Sequence, residues 1–214
     1  MLTFLKSHNT VYLLLFSVFC SCLIFTRIVI EGNLTFLFLI KNLGLAWLPY
    51  LISQFFKITS LTKTKMGIAL FFWLLFFPNT IYTITDLEYV FYRPSLKVWF
   101  DIIMLFSYAV LSVFLGLASL RNFEVLMLKK YGKMKSTILV IVALQLGSIG
   151  VYLGRFKRLN SSDVLTKPKE LFLELNEIFS SSLGDSNLYI ITIVFTIAMY
   201  ILYYGVFHFA KNHE

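Results

Sequence analysis

The chain has 214 residues, of which 58% are apolar and 14% charged, with a net charge of +8 and a mean hydropathy of +0.80. A soluble domain is about 45–50% apolar and about 25% charged, so there is too little polar surface here to cover a soluble protein. The basic excess reads as Lys and Arg in short cytoplasmic loops beside anionic lipid, and nucleic-acid binding is not expected.

A bilayer core needs about 20 apolar residues per helix. Runs near 10–30, 34–56, 66–85, 98–120, 137–154 and 188–209 meet that requirement. They predict an all-α membrane protein: one domain over residues 1–214, a bundle of about six transmembrane helices. The first run holds Cys20 and Cys22, which point to different helix faces and cannot pair with each other. It extends to Ile30, longer than a signal-peptide core, and reads as a retained span. Glu31-Gly32-Asn33 turns the chain into the second run, which contains Lys41, Asn42, Trp47 and Pro49.

The third run ends Phe77-Pro78-Asn79-Thr80-Ile81-Tyr82, with Asp86 just beyond it. Pro78 removes one backbone hydrogen bond and frees the carbonyl of Leu74. If the helix continues, Asn79, Tyr82 and Asp86 share a face. The fourth run opens with Asp101. The fifth carries Gly147, Gly150 and Gly154 at close-packing spacing and ends in Arg155, Lys157, Arg158, Asn160 and Asp163. In the last loop, Leu171, Phe172, Leu175, Ile178 and Phe179 recur at helical spacing, opposite Glu170, Glu174 and Glu177. That pattern predicts an amphipathic helix near 168–181, packed over the bundle mouth.

With the N-terminus inside, cytoplasmic segments hold Lys6, Lys57, Lys63, Lys65, Arg121, Lys129, Lys130, Lys133, Lys135 and Lys211. Outer segments hold Arg27, Arg93, Lys97, Arg155, Lys157, Arg158, Lys167 and Lys169, together with most of the acids. Discounting the long 155–187 loop favours both termini in the cytoplasm of a multi-pass plasma-membrane protein. Four polar segments then fall toward the extracytoplasmic side. Polar groups at membrane depth are costly and mark candidate sites. Asp86 is the candidate catalytic group, for proton transfer or cation binding. Lys41, Asn42, Asn79, Tyr82, Asp101, Arg155, Arg158, Asn160 and Asp163 are candidate substrate-binding groups, with Arg155 and Arg158 suited to an anionic headgroup.

Each also has a structural reading. Arg155, Lys157 and Arg158 serve equally as interfacial anchors, Lys41 as a snorkelling side chain, and Asp86 as a solvated acid or a partner of Arg93 or Arg155. His8, His208 and His213 all fall on the inner side, so the outer cluster lacks a Ser-His or Cys-His pair. There is no HExxH, no GxxxxGK[ST] and no GxSxG. A hard cation on Asp86, Asp101 and Asp163 is the metal alternative; no metal ligand set is assigned and no cofactor is named.

Three motifs in order, Asn42-Leu43-x-Leu45-Ala46-Trp47-x-Pro49, Phe77-Pro78-Asn79-x-x-Tyr82-x-x-Thr85-Asp86-Leu87 and Tyr152-Leu153-Gly154-Arg155-Phe156-x-Arg158-x-Asn160-Ser161-x-Asp163, resemble a family of bacterial polytopic integral membrane proteins that is a domain of unknown function. The resemblance covers nearly the whole chain, and Ser162 departs from the aromatic residue expected there. It implies a bacterial plasma membrane and supplies no activity, substrate or cofactor. Three functions fit the residues: an enzyme binding an anionic lipid-linked or envelope substrate at the outer face, a non-enzymatic assembly or accessory protein, and a small transporter or flippase-like protein. The bilayer is the expected partner, with anionic lipid or a lipid-linked substrate beside it; the sequence names no protein partner.

Overall fold

The computed structural model describes residues 7–57, 62–92, 97–158 and 186–211, together with Lys169, Leu173 and Asn176. Its elements are α1 (Ser7–Glu31), α2 (Phe38–Gln54), a 3-10 turn (Phe55–Lys57), α3 (Lys63–Phe76), α4 (Pro78–Thr85), a 3-10 turn (Asp86–Glu88), α5 (Tyr89–Tyr92), α6 (Val98–Tyr131), α7 (Lys133–Phe156) and α8 (Ser186–Lys211). Five helical segments are long and apolar enough to cross a membrane: Thr10–Glu31, Lys63–Tyr92, Val98–Tyr131, Lys133–Phe156 and Leu188–Phe207. With α2 between the first two, the architecture is an all-α membrane bundle. α2 has 17 residues; with its 3-10 turn it reaches roughly 30 Å, about the thickness of a hydrocarbon core.

Two segments outrun their hydropathy. The third continues through the 3-10 turn and α5 to Tyr92, where the apolar run ends near 85. α6 continues to Tyr131, where the apolar run ends near 120. Charge stops an apolar run but not a helix: Arg121 and Glu124 pair across three residues along α6. The 34 residues of α6 rise roughly 51 Å, more than the full bilayer of about 40–45 Å, so its charged end stands clear of the hydrocarbon. The amphipathic helix expected near 168–181 lies largely outside the described residues; Lys169, Leu173 and Asn176 are helical and exposed.

Contacts divide the chain into two compact units, one running to Leu126 and the other from Met127 to His213. In the first, α1 and α2 form an antiparallel hairpin. Thr10 Oγ1 lies 2.7 Å from the Tyr50 hydroxyl, and Trp47 Nε1 donates to Ser17 Oγ at 3.0 Å. Gly32 closes the turn at φ 65°, a conformation that suits glycine. α6 contributes Met104, Leu105, Tyr108, Leu111 and Leu115, at helical spacing, to a core completed by Cys20 and Ile24 of α1 and Leu39, Leu43, Ala46 and Tyr50 of α2. α3 and α4 run antiparallel to α6: Trp73 stacks on Phe123 at 4.6 Å, and Thr80 meets Gly116. A Cβ added at Gly116 would sit 2.9 Å from Thr80 Cβ, so only glycine allows that crossing.

The break between α3 and α4 interrupts the hydrogen-bond ladder, not the path of the chain. Phe77 keeps helical angles, φ −55° and ψ −38°. Pro78 has no N–H to continue the ladder. Asn79 Nδ2 donates to the Phe76 carbonyl at 3.0 Å, and Thr80 Oγ1 to the Phe77 carbonyl at 2.8 Å. Side chains thus add hydrogen bonds to the two carbonyls just before Pro78.

In the second unit α7 packs along α8. Thr196 Oγ1 of α8 donates to Gln145 Oε1 of α7 at 2.9 Å, with Ser148 Oγ 3.1 Å away. Tyr152 and Leu188 form a second buried cluster with Leu153 and Ile191.

Candidate functional site

The first unit gathers three of the four polar segments toward one end. Arg27 lies four residues before the end of α1, and Asp101 in the first turn of α6. Arg27 Nε donates to Asp101 Oδ1 at 3.1 Å, with the two side chains only 2% and 3% exposed. Arg27 Nη1 also donates to Asn33 Oδ1, and its guanidinium stands 4.5 Å over the Phe36 ring. Asn33 Oδ1 in turn accepts from the Thr35 N–H at 3.2 Å, holding the loop into α2 in an Asx-type turn. A buried ion is tolerable only when its partner is close and its remaining donors are occupied. Arg27 meets the first of these terms with Asp101, and its Nη1 is occupied by Asn33.

The second pair joins α2 to the segment that follows α4. Asn42 Nδ2 of α2 donates to Asp86 Oδ2 at 2.8 Å, and Asp86 is 1% exposed. Asp86 sits six residues before Tyr92, roughly 9 Å of helix rise inside the end of its span. The solvated acid just past a helix end, one of the sequence readings, is therefore corrected: the helix continues, and the acid is buried within it. Asp86 and Asp101, which bracket the 87–100 segment, take different partners, Asn42 and Arg27. Thr83 Oγ1 and Ser112 Oγ, also buried, have no hydrogen-bond partner among the described residues.

Not all the sequence candidates join these pairs. Lys41 is exposed on α2. Asn79 caps the α3–α4 break. Tyr82 lies one turn before Asp86, and its carbonyl accepts from Thr85 Oγ1 at 2.6 Å. Arg155 and Arg158 belong to the second unit. There Arg155 is half-buried in the last turn of α7, beside the Tyr152–Phe156 stack at 5.1 Å. Arg158 is exposed at φ 57°, the left-handed conformation that commonly ends a helix. Asn160, Asp163 and Arg93 lie outside the described residues.

Sequence reasoning missed Arg27, Asn33 and Phe36 as a set. The signal was present: a lone arginine inside an apolar span demands a partner, yet Arg27 reads on charge count as one more base of an outer segment. Its match to Asp101 across the bundle is not visible in either local sequence.

This arrangement defines a polytopic helical membrane protein with two polar pairs buried toward one end of its first unit. Residues 41–202 match the family described as protein of unknown function (DUF1361), and the chain belongs to that family. Asn42, Asp86, Asp101, Arg155 and Arg158 fall within the matched stretch, and Arg27 before it. No curated protein and no solved structure matches the chain.

Proposed function

We propose that the protein is a non-enzymatic assembly or accessory component of a bacterial plasma membrane, with both termini in the cytoplasm, whose buried polar pairs hold its helices in register. The observation that carries this reading is the internal pairing of Arg27 with Asp101, both nearly inaccessible. A charge held this way fixes which helices meet and at what register. It presents no group to a ligand. Asp86, with its Oδ2 engaged by Asn42, fits the same role.

One observation favours a second reading. Asp86 is an acid well inside a span, and such residues commonly serve proton transfer or binding. Here Asp86 would be the proton-transfer or cation-binding group of an outer-face site for an anionic lipid-linked substrate. Native mass spectrometry of the protein released from mild detergent separates the two, with wild type beside Asp86→Asn. The accessory reading expects the same retained lipids in both folded proteins. Loss of one specific lipid from the folded variant overturns it in favour of the outer-face site.

A further inference from the structure

At the opposite end of the first unit, Ile52 and Phe55 of the α2 end and Lys65, Ile68, Ala69, Phe72 and Phe76 of α3 line a groove of about 340 Å³. We propose that this groove holds one acyl chain of an anionic phospholipid, with the lipid phosphate at Lys65.

Three observations converge on that occupant. The walls are almost wholly apolar apart from Lys65, which opens the α3 side. Ile68 is 54% and Phe55 49% exposed, so the groove opens where bilayer surrounds the helices and not into the protein core. From Lys65 to Phe76 the helix rises roughly 16 Å, about the depth of one leaflet of a hydrocarbon core near 30 Å thick. A chain lying along α3 from a headgroup at Lys65 therefore ends near Phe76.

Charge specifies the headgroup. The first turn of α3 contains Lys63 and Lys65 and no acid. A helix N-terminus already carries about half a positive charge, so these lysines sit against the dipole. A lipid phosphate there sets one negative charge against this positive end, and the Thr62 side chain takes only one of the free N–H groups, that of Lys65. With both termini cytoplasmic, this end faces the leaflet where anionic lipids concentrate. The inference rests on the topology proposed above, and it is independent of the role given to Asp86.

The test is native mass spectrometry of the full chain after exchange into micelles containing equal phosphatidylglycerol and phosphatidylcholine. Wild type is compared with Lys65→Gln, Ala69→Trp and Ile103→Trp, the last being on an exposed face of α6. Wild type and Ile103→Trp should retain one phosphatidylglycerol in preference. Lys65→Gln should reduce that preference about fivefold, the worth of one basic residue at an anionic surface. Ala69→Trp, which fills the groove, should abolish it at unchanged helicity. Lys65 is exposed, so its substitution reports even if the tryptophan variant fails to fold. Equal retention of both lipids by wild type, or undiminished phosphatidylglycerol on Lys65→Gln or on folded Ala69→Trp, overturns the proposal. A wild-type dimer that Ala69→Trp converts to monomer also overturns it, by making a second copy the occupant.

Discussion

Arg27 and Asp101 show how a costly residue is made tolerable in this bundle. The Asp101 carboxylate, the Asn33 amide oxygen and the Phe36 ring face the guanidinium together. Removing one partner leaves the other charge buried alone, so Arg27→Ala should cost about 3–5 kcal/mol. Removing both charges at matched volume, as Arg27→Met with Asp101→Leu, should restore stability to wild type or above, because desolvation of both ions is then avoided. Equilibrium unfolding in mixed micelles checks both. If Arg27→Ala unfolds like wild type, the pair contributes nothing to register, and the accessory reading loses its main support.

At the scale of elements, the crossing of α4 over α6 at Thr80 and Gly116 sets how closely these helices approach. A Cβ at Gly116 meets Thr80 Oγ1 at 2.5 Å and Thr80 Cβ at 2.9 Å, whereas one at Gly44 meets nothing within 4 Å. Replacing a helical glycine by alanine gains about 1 kcal/mol of propensity, while overpacking a tight contact costs about 1–3 kcal/mol. Thr80 is short and branched, and its hydroxyl is tied to the Phe77 carbonyl, so it has little freedom to move aside. Gly116→Ala should therefore destabilise by about 1–2 kcal/mol, and Gly44→Ala should stabilise by up to about 1 kcal/mol. Thermal unfolding of the two single variants decides the matter; equal shifts would mean that α4 and α6 are not in this close contact.

At the scale of the whole molecule, the remaining question is which way the helices face. The proposed topology puts the α1–α2 turn outside and the end of α6 inside. With Cys20 and Cys22 first replaced by serine, Leu34→Cys should react with a membrane-impermeant maleimide in intact cells. Lys129→Cys should react only after permeabilisation. The reverse pattern would place the Asn42–Asp86 and Arg27–Asp101 pairs nearer the cytoplasm, and the Lys65 groove in the outer leaflet.

The apolar runs by themselves determined that this is a helical membrane protein, and roughly where its spans lie. Burial in hydrocarbon depends on a local sum of side-chain transfer terms, which any stretch of about 20 residues reveals. Their position within or beside apolar runs placed Asn42, Asp86 and Asp101 among the residues of interest, because polarity at membrane depth is conspicuous in one dimension. Only the tertiary structure decided how those residues are used. Whether Asp101 meets solvent, a ligand or Arg27 depends on the register of α1 against α6. Whether Asp86 ends a span or lies buried within it depends on a helix that outlasts its apolar run. Register between helices follows from contacts such as Thr80 on Gly116, made between residues 36 positions apart. No local property of the chain carries that information.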